Sequence, residues 1–197
     1  LSEIAEVSGG LTKNVKRNNF EEKVPYLRVA NVYANELRLE QIEKIGILES
    51  EKERTLLKKG DLLIVEGNGS IDQIGRVAIW NDEIKPCYHQ NHLIKTRSLS
   101  SCVDAKFILF FLMSPAGRKG IVDVASSTTG LHTLSLSKVA NLIIPVCPLE
   151  EQTEIVRLLD SQLAAADQFA AELAAQLKHA EHLKQSVLKA AFTGRLS

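Results

Sequence analysis

Residues 148–194 have the sequence PLEEQTEIVRLLDSQLAAADQFAAELAAQLKHAEHLKQSVLKAAFTG, and this stretch differs in pattern from the rest of the chain. Pro148 suits a first helical turn, and Glu150 and Glu151 complement the positive N-terminal end of a helix. Neither Gly nor Pro occurs again before Gly194, a residue type that commonly ends helices. The stretch therefore predicts one helix of about 45 residues, or about 67 Å.

Apolar residues recur along this helix at alternating steps of four and three, which is typical of a coiled-coil seam. The predicted interface consists of Leu159, Leu163, Ala166, Ala170, Leu173, Leu177, Ala180, Val187 and Ala191. Lys184 occupies the remaining position of the seam. Because so long a seam would overhang the rest of the chain, the pattern favours a partner helix over packing against its own domain.

Residues 1–147 predict a globular domain of mixed α and β structure, separate from the helical region 148–197. Short β-branched or apolar runs predict strands at Tyr26–Val32, Asp61–Val65, Arg76–Trp80 and His92–Arg97. Three short helices are predicted from their first residues: one capped by Asp104, one opened by Ser114-Pro115 and one capped by Ser135 or Ser137. The predicted fold class is α+β with a long C-terminal helix.

The composition is that of an ordinary globular protein, with 45% apolar and 24% charged residues among 197. The 24 Lys and Arg residues balance the 24 Asp and Glu residues, but positive charge concentrates in residues 9–34 and 85–119. No apolar run reaches the roughly 18 residues that a membrane helix needs, and no secretory signal opens the chain. The first residue is Leu1 and not Met, so we expect a fragment or a processed chain.

The three cysteines, Cys87, Cys102 and Cys147, are odd in number and widely spaced, which predicts free thiols in a reducing cytoplasm. His89 and His92 lie near Cys87, but no second cluster completes a metal site.

Motifs of catalysis are missing from the sequence: it contains no G-x-S-x-G, no H-E-x-x-H and no Walker loop. The Gly67-Asn68-Gly69 turn is followed by Ser70 and not by Lys-Ser/Thr, so it is not a nucleotide P-loop. Asp61, Asp72, His89 and His132 are scattered polar residues of the kind most proteins of this size contain. The sequence thus favours a binding protein over an enzyme.

Three polar loops at residues 66–76, 89–91 and 126–132 favour DNA as the ligand. Arg pairs with guanine, and Asn and Gln pair with adenine, in the major groove. The candidates for contact with base edges are Arg76, Gln90, Asn91, Thr128 and His132. The candidates for contact with phosphates are Lys13, Lys16, Arg17 and Lys95. Further candidates from the same loops are Asn68, Ser70 and Thr129.

The order of several short motifs resembles a known family, the specificity subunits of type I restriction–modification enzymes. They are the run 56–64 (LLKKGDLLI), the turn 67–75, Gln90-Asn91, the run 142–145 (LIIP), the run 148–152 (PLEEQ) and the ending 186–196 (SVLKAAFTGRL). A usual subunit of the family has two target-recognition domains, each followed by a long helix. This chain has one of each and so resembles half of a subunit.

The resemblance implies a non-catalytic subunit that recognises one half of a split double-stranded DNA site. Its helix would pair in an antiparallel coiled coil, and an isolated fragment would form a homodimer through that helix. Methylation and restriction subunits would dock on it and would carry the S-adenosylmethionine, ATP and Mg that this chain does not bind. Two alternatives remain open at this point: a coiled-coil adaptor that binds protein, and the recognition fragment of a larger DNA methyltransferase.

Overall fold

The computed structural model describes residues 1–99, 101–128 and 130–194. Its centre is an antiparallel sheet of four strands in the order β1-β10-β6-β8. These strands are β1 (Ala5–Gly9), β6 (Leu62–Val65), β8 (Val77–Ile79) and β10 (Leu93–Ser98).

The central sheet has an apolar core on each face, because side chains alternate along β6. Leu62 and Ile64 belong to one core, which includes the helical residues Ile108 and Ile121. Leu63 and Val65 belong to the other core, which contains Trp80 and Leu27. The helices of the first 148 residues are α1 (Glu49–Thr55), α2 (Ala105–Met113), α3 (Pro115–Val124) and α4 (Leu136–Ala140).

Shorter strands form three smaller sheets around the central one. One has the order β5 (Glu43–Gly46), β2 (Lys23–Leu27) and β9 (Tyr88–His89). The second has the order β11 (Ser126–Thr128), β12 (Leu131–Thr133) and β7 (Gly67–Asn68). The third is a hairpin of β3 (Val32–Tyr33) and β4 (Glu36–Leu37).

The three predicted helix starts are confirmed. The side chain of Asp104 accepts from the main-chain N–H of Lys106 at 2.7 Å, and Ser114 and Ser135 cap α3 and α4 in the same way.

The predicted strand Tyr26–Val32 is wrong beyond Leu27, where a 3₁₀ turn occupies Val29–Asn31. The Asn31 side chain accepts from the N–H of Arg28 and so competes with strand pairing.

The long helix, α5 (Leu149–Phe192), has 44 residues, as the sequence predicts. The chain divides into two compact units, Leu1–Thr153 and Glu154–Ser197. The first unit extends past the predicted boundary at Cys147 because it includes the first helical turn. There the buried Gln152 side chain accepts from the N–H of Asp104 at 2.9 Å and donates to the carbonyls of Cys102 and Cys147.

The second unit is described by α5 alone, and its seam residues are exposed. Leu173 and Leu177, near the middle of the seam, are 49% and 64% exposed. The final residues of the run 186–196, Arg195 and Leu196, lie outside the described residues. None of the helices in the described ranges is long and apolar enough to cross a membrane.

Candidate nucleic-acid interface

Most of the predicted DNA-contacting residues lie at one end of the central sheet. Because neighbouring strands are antiparallel, β1 and β6 end where β8 and β10 begin. The segments that meet there are residues 10–13 after β1, 66–76 between β6 and β8, and 90–92 before β10. Segments far apart in the sequence therefore form one surface.

Main-chain hydrogen bonds tie these segments together. The N–H of Asn91 donates to the carbonyl of Leu11 at 3.0 Å, and the N–H of Glu66 donates to the carbonyl of His92 at 3.0 Å. The His92 ring also contacts the Glu66 carboxylate at 2.7 Å. The loops consequently have defined positions relative to one another.

The third predicted loop, residues 126–132, is a hairpin of β11 and β12 that joins the same surface. His132 stands between Asn68 of β7 and Ser127 of β11 in the sheet register. The Asn68 side chain accepts from the N–H of Ser70 at 3.0 Å and so shapes the exposed turn. Thr128 ends β11, while Thr129 lies outside the described residues.

Gln90 and Asn91 are half-buried, and their main-chain groups are used in the fold. Within the described part of the chain, their side-chain amides form no hydrogen bond with the protein. Their donors and acceptors are consequently available to a ligand.

Two of the four predicted phosphate-contacting residues, Lys13 and Lys16, are exposed. Lys16 lies in a 3₁₀ turn, Val15–Asn19, and is exposed. The side chain of Lys13 is 64% exposed and approaches the carboxylate of Glu43 at 3.5 Å. Each ammonium group is thus accessible to an anionic ligand.

The other two are part of the folded interior. Arg17 is buried, pairs with both carboxylate oxygens of Glu51 at 2.6 and 2.9 Å, and donates to the carbonyl of Gly46. Lys95 is buried in β10 and donates to the carbonyl of Arg54 at 2.6 Å. Phosphate contact would require either side chain to leave these partners, so neither belongs to the surface that we propose.

Arg76 directly precedes β8, and its guanidinium carbon is 4.7 Å from the centroid of the Tyr33 ring. Arg38 stacks on the same ring at 3.7 Å. Tyr33 and Arg38 could not be predicted from the sequence, because nothing in the local pattern of either residue indicates that the β3–β4 hairpin packs beside Arg76.

His89 is buried directly before Gln90, and its ring supports the turn without reaching solvent. Its Nδ1 lies 3.1 Å from the carbonyl of Thr55, so Nδ1 carries the hydrogen and donates it. Burial, together with the nearby charge of Lys95, lowers the pKa of His89 to about 3. The ring therefore stays neutral in the folded protein.

The His89→Asn variant is expected to lose less stability on acidification than the wild type. An unfolded His titrates near 6.5, so between pH 6.5 and 3 the unfolded wild-type chain binds the additional proton. Stability falls as pH falls through that window, and Asn removes this contribution while keeping a donor for Thr55. Urea unfolding at pH 7 and pH 4.5 should show a loss that is roughly 2 kcal/mol smaller in the variant. Equal losses in both proteins would show that His89 does not carry this proton linkage.

The fold and this surface define a binding domain with loops at one end of a sheet, followed by a long helix. The family model described as "Type I restriction modification DNA specificity domain" matches residues 1–179. The chain therefore belongs to the type I restriction–modification DNA specificity domain family. This confirms the predicted family.

Three relatives illustrate the likeness. The type I restriction enzyme EcoKI specificity subunit of Escherichia coli (strain K12) is 29% identical over 98% of this chain and 41% of its own length. A chain from a structural study of type I R-M system assembly and conformational transition has a TM-score of 0.68 and 23% identity, covering 100% of this chain and 45% of that one. The HsdS subunit from Thermoanaerobacter tengcongensis has a TM-score of 0.65 and 16% identity over 95% and 46% of the two chains.

The structural similarity confirms the predicted α+β class with its long C-terminal helix. The chain spans about two fifths of the length of the curated relative, which agrees with the expected half of a subunit.

Proposed function

We propose that this chain recognises one half of a bipartite double-stranded DNA site through the surface at the end of the central sheet. The proposal rests on one observation: polar and basic residues from separate segments lie together at that end of the sheet. They are Lys13, Asn68, Arg76, Asn91 and His132. Contacts with bases supply specificity, while exposed lysines contribute affinity through phosphates. The family membership supports DNA as the ligand.

The proposal includes the partners that the resemblance implies. Methylation and restriction subunits dock on this chain and bring S-adenosylmethionine, ATP and Mg, so that the chain supplies recognition alone. Its place is the cytoplasm, a reducing compartment that suits three cysteines without a disulfide bond.

The long helix is proposed to be an antiparallel coiled-coil spacer. In a full-length subunit it pairs with a second helix and holds two recognition domains apart. In the present chain a second copy provides the partner helix, because a two-fold axis lets the same exposed seam serve both copies. A homodimer of this kind specifies an inverted repeat of one half-site with an unread spacer of fixed length.

The test is reconstitution of the chain with its cognate methylation subunit, followed by mapping of methylated positions on random-sequence DNA. We expect methylation only at an inverted repeat with a constant spacer. Methylation at a single half-site would contradict the dimer but keep the recognition role. Salt-independent binding, or none even with the methylation subunit present, would overturn the DNA proposal and favour a protein-binding adaptor.

Variants of the neighbouring residues Lys16 and Arg17 distinguish a side chain that contacts phosphate from one that stabilises the fold. Lys16→Ala is expected to weaken binding to all sequences and to reduce the slope of log K against log salt by about one, with unfolding unchanged. Arg17→Ala is expected to lower stability, because the buried arginine pairs with Glu51. Binding titrations at several salt concentrations, with urea unfolding of each variant, check both. An unchanged salt slope in Lys16→Ala would remove Lys16 from the surface.

A further inference from the structure

Two arginines stack on one tyrosine at the edge of the proposed DNA surface. The guanidinium carbon of Arg38 is 3.7 Å from the centroid of the Tyr33 ring, and that of Arg76 is 4.7 Å away. Both distances are within the range of attraction between a cation and an aromatic face. Within the described residues the Tyr33 hydroxyl forms no hydrogen bond, so its contribution to this cluster comes from the ring.

The hairpin that carries Tyr33 is fixed against the start of β8. The N–H of Asn35, at the hairpin turn, donates to the carbonyl of Val77 at 2.8 Å, next to Arg76. At the other strand of the hairpin, the N–H of Arg38 donates to the carbonyl of the buried Asn31 at 2.9 Å. The Asn31 side-chain amide in turn donates to the carbonyl of Arg38 at 2.8 Å. The ring consequently has a defined position relative to Arg76.

The segment before Arg76 is equally constrained. Gly75 has a φ of +64°, and a Cβ there would lie 2.5 Å from the buried Ile121 side chain, so the turn requires glycine. Arg118 donates to the carbonyls of Ile74 and Asp72 at 2.6 and 3.3 Å and supports this turn from α3. Tyr33, Arg76 and Arg118 also line a cavity of about 320 Å³ with an apolar side formed by Val77 and Leu112.

The two stacked arginines differ in their charge partners. Arg38 donates to the Glu36 carboxylate at 2.8 Å and so already has an anionic partner. Arg76 donates to the neutral side chain of Gln73 at 3.2 Å and, within the described part of the chain, pairs with no carboxylate. Its Nε–H is buried without a protein acceptor. Arg76 is thus an oriented cation whose donors the fold does not fully use.

We infer that Tyr33 is a positioning residue that holds Arg76 for contact with a guanine of the half-site. The inference rests on the proposed function. It adds the base that Arg76 contacts, guanine, and a positioning residue, Tyr33, that was not among the predicted DNA-contacting residues. A planar guanidinium donates in parallel to O6 and N7 of guanine, which no other base offers in the major groove. Stacking on Tyr33 restricts the side-chain rotation that would otherwise weaken this selectivity.

The experiment selects duplexes from a randomised library with the full chain reconstituted with its methylation subunit. The wild type is expected to select guanine at one fixed position of each half-site. Arg76→Lys keeps the charge but not the planar fork, and should lower that preference about 10- to 100-fold while other positions keep theirs. Tyr33→Leu should relax the same position, and Tyr33→Phe, which keeps the ring, should restore it.

The outcomes are separable. Retained guanine preference in Arg76→Lys would show that Arg76 does not read this base. If Arg76→Lys loses the guanine preference but Tyr33→Leu keeps it in full, Tyr33 does not position Arg76. Tyr33→Gln serves as a second variant in case Tyr33→Leu does not fold, with thermal unfolding measured for each protein. A wild type that selects no sequence would instead contradict the proposed function itself.

Discussion

The double variant Leu173→Asp/Leu177→Asp is expected to be a monomer under conditions in which the wild-type chain is a dimer. The seam from Leu159 to Ala191 has its midpoint at Ala175, so in a symmetric antiparallel pair Leu173 faces Leu177 of the second copy. Both leucines are about half exposed in the single chain. Four carboxylates would then lie together in an apolar contact, where unpaired buried charges cost several kcal/mol.

Light scattering at micromolar concentration measures this effect. The matched control is Ala171→Asp/Ala175→Asp, which adds the same charges at the same spacing on the opposite side of the helix. The control is expected to remain dimeric, and circular dichroism should show similar helix content in both variants. A monomeric wild type, or a dimeric Leu173→Asp/Leu177→Asp protein, would exclude the seam as the interface.

Replacing Arg97 by Met is expected to destabilise the globular unit by about 3–5 kcal/mol. Arg97 donates from Nε and Nη2 to the two carboxylate oxygens of Asp61, each at 2.7 Å, and to the carbonyl of Leu56 at 3.0 Å. The Asp61 side chain is fully buried, whereas that of Arg97 is 23% exposed. The variant leaves a buried carboxylate with only the N–H of Lys58 as a partner in the described structure.

Urea unfolding at neutral pH tests this prediction. Lys119→Ala breaks the exposed pair with Asp123 and should cost less than about 1 kcal/mol. Adding Asp61→Leu to Arg97→Met should recover part of the loss, because it removes the unpaired charge. If Arg97→Met loses no more stability than Lys119→Ala, the Arg97–Asp61 pair is not important for stability.

Local signals were sufficient to predict α2, α3, α4 and α5, whereas α1 was not predicted. The caps at Asp104, Ser114 and Ser135 act on N–H groups two or three residues away, so the sequence pattern contains all that is needed to place them. The uninterrupted run after Pro148 similarly predicted α5 almost to its last residue. Strand pairing is not local, and for this reason the sequence did not show that residues 126–132 form a hairpin or that it joins β7.

For the candidate site, residue type and loop position indicated Lys16, Asn91 and Arg76 but could not distinguish them from Arg17 and Lys95. The distinction depends on burial: Arg17 meets Glu51, and Lys95 meets the carbonyl of Arg54, only after distant segments have packed together. The stack of Arg76 on Tyr33 has the same origin. Charge and hydrogen-bonding capacity belong to the individual residue, but whether a solvent-facing ligand can use them is a property of the packed structure.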